Sequence, residues 1–588
     1  MKNIFFEGKI IADGKMYEEA VYNVSNECFS AAFDGKGAIC YYALADEKQY
    51  IKNGTIIVKI NGQRISPFVN KKVTMCGRMQ AIVIDLLSAK LTITQFVDKK
   101  VNGIFTSFSL NGSNAEVEVG ITSSAFRSGT PVYDEDRNTI LSQNYKFAAN
   151  IPYEFVGENS GVYFSLNNKN DFHYFITCGD KTIDPGYYIE NFEKFHSDCL
   201  NEIYSIKIPN HLNEKEKALY LNCYFCSLEN YKEKGNFKAF MAGHDYLIPM
   251  RSYYRDSFFT ILPMYNGKTE LVRNQIMTLA KGIGEDGSCP SAVLSNFEAY
   301  WEDHYDSPSF FAIMLYDYIR VTEDLTILTE LVGEKTVFDK AENAIIKLSE
   351  KSDETGLLYK EGKYNKLDWA DEVNRYGYVT YDEILYARAL FSIAQIYELL
   401  GNQKKSSLYL KKFENVKEKI NQVLWDDTLG WYVNFKNEDY IENNLSIDTV
   451  FAAIFGIASD EQACRMLSNM EKYLESRNHP ELEDYGVLCV YPPYSHMKSA
   501  YFKSLEPYRY HNGANWPYLS AMYAYAKRKY NMEYHYALES WFDFNVKKGH
   551  YTPVEYFSPY YPKGSLLQAW SGNSAFVLDE ALSKEFWD

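Results

Sequence analysis

Ile206-Lys-Ile-Pro-Asn-His-Leu-Asn213, running into Glu214-Lys-Glu-Lys-Ala-Leu-Tyr-Leu-Asn-Cys-Tyr-Phe-Cys-Ser-Leu-Glu229, marks a change in the chain's hydrophobic period. Before it apolar residues alternate; after it they recur every three to four residues. Upstream, Thr55–Asn61, Ala81–Asp85, Lys90–Phe96 and Ala115–Ile121 are short β-rich runs, punctuated by Asn61-Gly62, Asn102-Gly103 and Asn111-Gly112. Alternation of this kind belongs to half-buried antiparallel strands and predicts a β-sandwich over residues 1–205. Residues 206–213 read as a linker, with Ile206-Lys-Ile continuing a strand. Lacking a Gly/Ser tract, the linker predicts a sandwich packed against the helical part of the chain rather than tethered to it.

From residue 214 to 588 the pattern is helical. Helical segments are expected near Glu214, Tyr253, Lys268, Asp306, Leu325, Thr380, Gln403, Ser446, Asp460, Gly513, Met532 and Leu566. Tight turns such as Thr322-Glu-Asp, Leu400-Gly-Asn and Ala458-Ser-Asp alternate with long aromatic loops over 284–305, 351–379, 477–512 and 549–565. Long loops inside a compact domain are uncommon and usually functional. Helical hairpins whose long loops share one end describe a closed double ring; a plain solenoid would show a regular repeat, and none is found. The expected fold is an N-terminal antiparallel β-sandwich followed by an (α/α)6 barrel, an all-α toroid.

Composition narrows the partners. The 588 residues carry a net charge of −17 and a pI near 5.2, which disfavours nucleic acid and an anionic membrane surface. Glu7 and Lys9 interrupt the opening apolar run, and no stretch reaches membrane-spanning length, so a cytoplasmic location is expected. Ten cysteines without an export signal predict no disulfide framework, and Cys223-x-x-Cys226 lies in a helical pattern as two core thiols. Metal or cofactor is not expected: Trp301-Glu-Asp-His and Asp426-Asp lack the oxygen-ligand spacing of a calcium loop. Aromatic residues make up 16% of the chain. Sugar clefts use such rings against the C–H face of a pyranose, although a genomic bias toward tyrosine would also raise the number.

The long loops hold most of the unusual polar residues, which lie in Pro249-Met-Arg-Ser-Tyr-Tyr-Arg-Asp256, Gly284-Glu-Asp-Gly-Ser288, Tyr300-Trp-Glu-Asp-His-Tyr-Asp306, Leu367-Asp-Trp-Ala-Asp-Glu372, Tyr508-Arg-Tyr-His-Asn-Gly-Ala-Asn-Trp-Pro517 and Tyr551-Thr-Pro-Val-Glu-Tyr-Phe557. Most join a carboxylate or amide to Trp or Tyr. Carboxylate and Arg contacts to vicinal hydroxyls, with stacking, suit a polyol ring. Glycosyl transfer adds one acid to protonate the leaving oxygen and one carboxylate to activate water.

Together with Gln568-Ala-Trp-Ser571, these stretches other than Gly284–Ser288 resemble the (α/α)6 glycosidases, and most of all the amylo-α-1,6-glucosidase domain of glycogen debranching enzymes. The resemblance runs from about residue 240 to 580. His-Asn-Gly-x-x-Trp-Pro is fairly specific; Arg-Asp and Gln-x-Trp are weak alone. It implies Asp371 as general acid and Glu555 as general base, with Arg255 and Asp256 holding the sugar. Trp301, Glu302, Trp369, Glu372, His511, Asn512, Trp516, Gln568 and Trp570 are the remaining expected substrate-binding residues. Taken alone, Asp256 could be a first-turn acid favoured by the helix dipole and His511 a structural histidine. Asp368 and Glu372 stay open as alternative acids. The separate transferase barrel of the debranching enzymes has no counterpart, and loop 477–512 diverges.

The expected activity is inverting, exo-acting hydrolysis of a small oligosaccharide or glycoside, a glucoside being the expected substrate. An inverting pair should stand about 6.5–9.5 Å apart. A glycoside phosphorylase like cellobiose phosphorylase is the alternative within the fold, although Glu555 would repel attacking phosphate. A sugar epimerase or a non-catalytic glycan-binding protein is the alternative of another class.

Overall fold

The computed structural model describes residues 2–14, 20–65, 70–86, 89–112, 116–127, 131–156, 161–166, 171–179, 182–361, 368–494 and 506–588. The chain divides into two compact units. The first takes Met1–Lys234 with Gly243–Met250 and Asn545–Pro553, and the second takes Gly235–Ala242, Arg251–Phe544 and Val554–Asp588.

The first unit begins as antiparallel sheet: one sheet of ten strands, one of five and one of four. Strand Lys90–Phe96 sits between Met79–Asp85 and Ile104–Asn111, with Ile93 opposite both Ile82 and Phe108, and all three side chains are buried. That register follows from the alternation read in the sequence, since a one-residue slip would turn the apolar set to solvent. Asn61-Gly62 closes the hairpin of Gly54–Ile60 with Gln63–Arg64, both residues at positive φ (49° and 78°), as a type I′ turn requires. The expected strand at Ala115–Ile121 runs over Val117–Ser123; residue 115 lies outside the described residues.

The strand reading fails at its C-terminal end. Residues 185–205 form helices α1 (Pro185–Glu190) and α2 (Phe192–Ser205) rather than strands. Phe192, Phe195, Cys199 and Ile203 recur at helical spacing. Phe192 and Cys199 join Phe96, Val101, Phe105 and Phe175 in a core cluster against which Phe195 packs. Nor does the division into units follow the boundary read at 205/214. Helix α3 (Glu214–Glu229) stays with the sheets. Its start is fixed by a capping box between Asn213 and Glu216, and Glu229 at its end accepts the Ser25 N–H at 2.8 Å. Burial on nearly every side explains why its period points to no single face. Cys223 and Cys226 lie buried in it, and no disulfide joins any of the ten cysteines.

The second unit is helical: α4 (Tyr254–Ile261), α5 (Thr269–Ala280), α6 (Ser307–Thr322), α7 (Val337–Ser349), α8 (Thr380–Leu399), α9 (Gln403–Val423), α10 (Phe451–Ile454), α11 (Asp460–Leu474), α12 (Pro517–Lys529), α13 (His535–Lys547), α14 (Ser574–Leu578) and α15 (Glu580–Ser583). The expected starts of α4, α5, α6, α8, α9 and α11 fall within one residue of the observed ones. The segment expected at Leu325 is a 3-10 turn (Leu325–Thr329); α7 begins only at Val337, where Thr336 and Asp339 form a capping box. Contacts run from α4 to α6, α6 to α8, α8 to α10, α10 to α12, and α12 to α14 and the 3-10 turn Ala569–Asn573, which packs on α4. Between them α5 packs on α4 and α6, α7 on α6 and α8, α9 on α8, and α11 on α10. The long loops precede α6, α8, α12 and the 569–573 turn and carry most of the polar residues of the sequence motifs, while Arg255 and Asp256 lie in α4.

Candidate active site

Arg255 and Asp256 occupy the first turn of α4, directly after the strand Arg251–Tyr253. Arg255 Nε donates to Asp306 Oδ2 at 2.6 Å, and the Tyr381 hydroxyl donates to the same oxygen at 3.2 Å. Asp306 stands immediately before α6 and is fully buried, so the pair locks the N-terminal ends of α4, α6 and α8 together. Asp256 is also buried. Burial pushes its carboxyl up to about 7, against the pull of Arg255 and with a push from Glu555. Gln568 Nε2 donates to Asp256 Oδ1 at 3.4 Å, and the next residue, Ala569, anchors that turn through its N–H on Ala242 O at 2.7 Å.

An aromatic cluster forms the next layer. His511 stacks on Trp516 (centroids 4.8 Å, 7°), Trp369 stands edge-on to both, and Trp570 stacks on Tyr518 (4.2 Å, 19°). These rings are buried and hold one another rather than presenting open faces. Trp369 Nε1 donates to Asp448 Oδ2 at 2.6 Å and Trp516 Nε1 to Tyr510 O at 3.3 Å. Asn512 sets both ends of its amide on the Tyr494 main chain, accepting its N–H at 2.6 Å and donating to its carbonyl at 3.3 Å. Trp301 differs: it is 46% exposed, it has a left-handed backbone (φ 62°), and it stacks on Tyr300 at 5.4 Å. A bulky residue at positive φ is strained, and such strain concentrates at functional positions. The Glu302 side chain lies outside the described residues.

The three acids of the Asp368–Glu372 stretch have distinct settings. Asp368 is buried in a double clasp, with Arg375 Nη2 on Oδ1 at 2.6 Å and Lys360 Nζ on Oδ2 at 2.5 Å. Those cations hold it ionised, far below the usual carboxylate range despite burial, which suits an anchor and not an acid. Glu372 is buried; its backbone N–H donates to His511 Nδ1 at 3.4 Å. Asp371 is partly exposed. Its Oδ1 accepts from the Tyr510 hydroxyl at 3.4 Å and lies 3.6 Å from His511 Nδ1. Burial, then the nearby guanidiniums of Arg375 and Arg255, keep His511 neutral. With the Nδ1 lone pair facing the Glu372 N–H, the His511–Asp371 contact is no ion pair.

Glu555 is partly buried in the loop before the 569–573 turn. The Ser565 N–H donates to its Oε2 at 3.1 Å, and its own N–H donates to Ser565 O at 2.9 Å. A side chain at Gly564 would come within 2.6 Å of the Glu555 carboxylate, so that glycine leaves the acid its room. The Tyr510 hydroxyl meets Asp371, and its ring packs edge-on to Tyr556, the residue after Glu555, at 4.6 Å. Asn515 and Phe557 exchange backbone hydrogen bonds at 2.9 and 3.0 Å, tying the two loops together. Sequence reasoning gives no role to Tyr510, Asp306, Asp448 or Arg375. Tyr510 could have been found from its place beside His511; Asp448 sits in no motif.

The family of mannosylglycerate hydrolase MGH1-like glycoside hydrolase domains matches residues 338–576, a span holding Trp369, Asp371, Glu372, His511, Asn512, Trp516, Glu555, Gln568 and Trp570. The protein carries a glycoside hydrolase domain. Arg255, Asp256 and Trp301 precede the matched span of this glycoside hydrolase. A bacterial glucoamylase solved in complex with acarbose is similar in fold along the whole chain: TM-score 0.60, 13% identity, 99% of this chain and 97% of that one. N,N'-diacetylchitobiose phosphorylase of Vibrio proteolyticus is 25% identical over 174 residues, 27% of this chain; the match spans about a fifth (21%) of that relative's length. None of the site's carboxylates belongs to a group of three metal-ligating side chains among the described residues. No helix among them is long and apolar enough to cross a membrane.

Proposed function

We propose that the protein is an inverting, exo-acting glycoside hydrolase in which Asp371 is the general acid and Glu555 the general base. The observation that carries this is the double engagement of Tyr510, hydroxyl on Asp371 and ring against Tyr556, which makes two partly exposed carboxyl groups neighbours of one aromatic wall. In the reaction the C1–O bond of the glycoside breaks, and the leaving oxygen takes the electron pair and the Asp371 proton. A water oxygen bonds to C1 from the opposite face and yields its proton to Glu555. Arg255 and Asp256 then hold sugar hydroxyls, and the partly exposed Trp301 lines the sugar site. The succession of contacts from α4 round to the 569–573 turn supports a closed (α/α)6 ring with this site at the N-terminal ends of its inner helices.

The glucoamylase-like fold and the mannosylglycerate hydrolase-like domain point to glucosides and mannosides as the first substrates to try. Asp371→Asn and Glu555→Gln should each cut turnover by about 10²–10⁴ while leaving sugar affinity largely intact, as loss of one acid or base group does. The anomer first released, read by NMR, should be inverted; a retained product or a fully active Glu555→Gln would remove the assignment. The chitobiose phosphorylase relative supports a second reading, phosphorolysis. Turnover that requires inorganic phosphate and yields a sugar phosphate would establish it over hydrolysis.

A further inference from the structure

The acid loop is short of secondary structure and rich in buried charge. Between Asp368 and Arg375 the main chain bonds to itself from Val373 N–H to Ala370 O at 2.8 Å and from Arg375 N–H to Val373 O at 2.9 Å. Its two ends are joined by the Arg375 fork, Nη2 to Asp368 Oδ1 at 2.6 Å and Nε to Oδ2 at 3.2 Å. The third donor direction of the same guanidinium, Nη1, reaches Asp448 Oδ2 at 2.7 Å and Asn434 Oδ1 at 3.2 Å. Asp448 Oδ2 in turn accepts the Trp369 indole at 2.6 Å. Lys360 closes the base of the loop from the other side, bonding Asp368 at 2.5 Å and Asp382 at 3.2 Å, while its main chain pairs with Gly377 at 2.9 Å in both directions. Arg375 is among the largest fully buried side chains of the molecule. Buried ion networks are weak contributors to stability compared with apolar packing of the same volume, so stability alone does not account for one here. A planar fork that satisfies two carboxylates at fixed angles supplies geometry, which lysine cannot reproduce.

We propose that Arg375 is the positioning residue for the acid: by clasping Asp368 and bracing the clasp on Asp448 and Trp369, it holds the 368–375 loop so that the Asp371 carboxyl meets the leaving-group oxygen. This rests on the reading of Asp371 as general acid. Arg375 touches no substrate; it acts through the loop. Its loss should therefore be felt where protonation of the leaving group limits the rate, and little elsewhere.

Leaving groups provide the test. The full-length enzyme, Arg375→Lys and Asp448→Asn are compared on a glycosyl fluoride, whose departure needs little protonation, and on the methyl glycoside of the same sugar, whose departure needs it. The sugar is whichever of glucose or mannose the unmodified enzyme turns over. Arg375→Lys should lower kcat on the methyl glycoside by about 10- to 100-fold, a partial loss of what a general acid contributes. On the fluoride it should lose less than about threefold, with KM little changed on both. Asp448→Asn should shift in the same direction and decides the matter if Arg375→Lys does not fold. Asp371→Asn must show the same split more strongly. Equal losses on both substrates, a change confined to KM, or no loss overturns the proposal. An Asp371→Asn variant without the split removes the acid assignment itself, and the proposal with it.

Discussion

Asp256→Asn should make the protein more stable at neutral pH while leaving it nearly unchanged near pH 4. Burial raises the Asp256 carboxyl from an ordinary value near 3.8 to about 7. Between those values the folded state keeps a proton that the unfolded chain has lost, so stability falls as pH rises. The penalty is absent below about pH 4, grows through the window and is complete above pH 7. A rise of that size corresponds to about 4 kcal/mol at full ionisation. Asparagine has no charge to bury and can still accept the Gln568 hydrogen bond, so the variant escapes the penalty. At roughly 2.1 cal/mol/K of unfolding entropy per residue, the difference is worth about 3–6 °C in Tm. Thermal unfolding of both proteins from pH 4.5 to 8 gives the answer as a difference curve, which cancels the self-repulsion of a chain with net charge −17. Curves that run parallel across the window, or a variant that becomes relatively less stable toward pH 8, would refute the reasoning.

Other side chains carry expectations of their own. Asn512→Ala should destabilise the protein by about 1–3 kcal/mol, because two buried main-chain groups of Tyr494 lose their partners; an unchanged Tm in differential scanning fluorimetry would contradict this. Trp301→Ala should leave stability within about 0.5 kcal/mol, as for other exposed positions, yet raise KM severalfold with little effect on kcat. An unaltered KM would remove Trp301 from the site. Prolonged chelation should leave activity intact, since the site's acids gather no metal-ligand set among the described residues; loss restored by one added divalent ion would reverse that view.

Strand and helix positions are legible in the sequence wherever one face of the element is buried and the other wet. Lys90–Phe96 and Asp460–Leu474 carry their period openly: both bounds of the strand and the start of the helix can be read to the residue. Helix α2 escapes such a reading because its apolar residues come directly after a strand-rich region and its length is modest. Helix α3 is recognisable as a helix but not as a neighbour of the sheets, since burial all round leaves its period without a direction. In the candidate site, Arg255, Asp256 and Gln568 are brought together, as are Trp369, His511 and Trp516. What the motifs could not reveal is the division of labour among adjacent acids. Asp368 and Asp371 differ only in what reaches them, and Lys360, Arg375 and Tyr510 come from other turns of the loops.

The first unit's use of Asn545–Pro553 has a bearing on how the chain folds as it is made. Asn23 bonds Thr552 at 2.9 Å, Asn222 bonds Tyr551 O at 2.8 Å, and Val21 pairs with His550. These partners leave the ribosome more than three hundred residues after the strand and the helix they bond to. The usual order, in which an N-terminal domain finishes before the next one starts, cannot apply in full. The early sheets must wait, partly open at Val21 to Asn23, while the helical unit is synthesised, and the final segment seals them afterward. Synthesis rate and chaperone occupancy during that interval, rather than the equilibrium stability of either unit, would then govern how much of this protein reaches its native form.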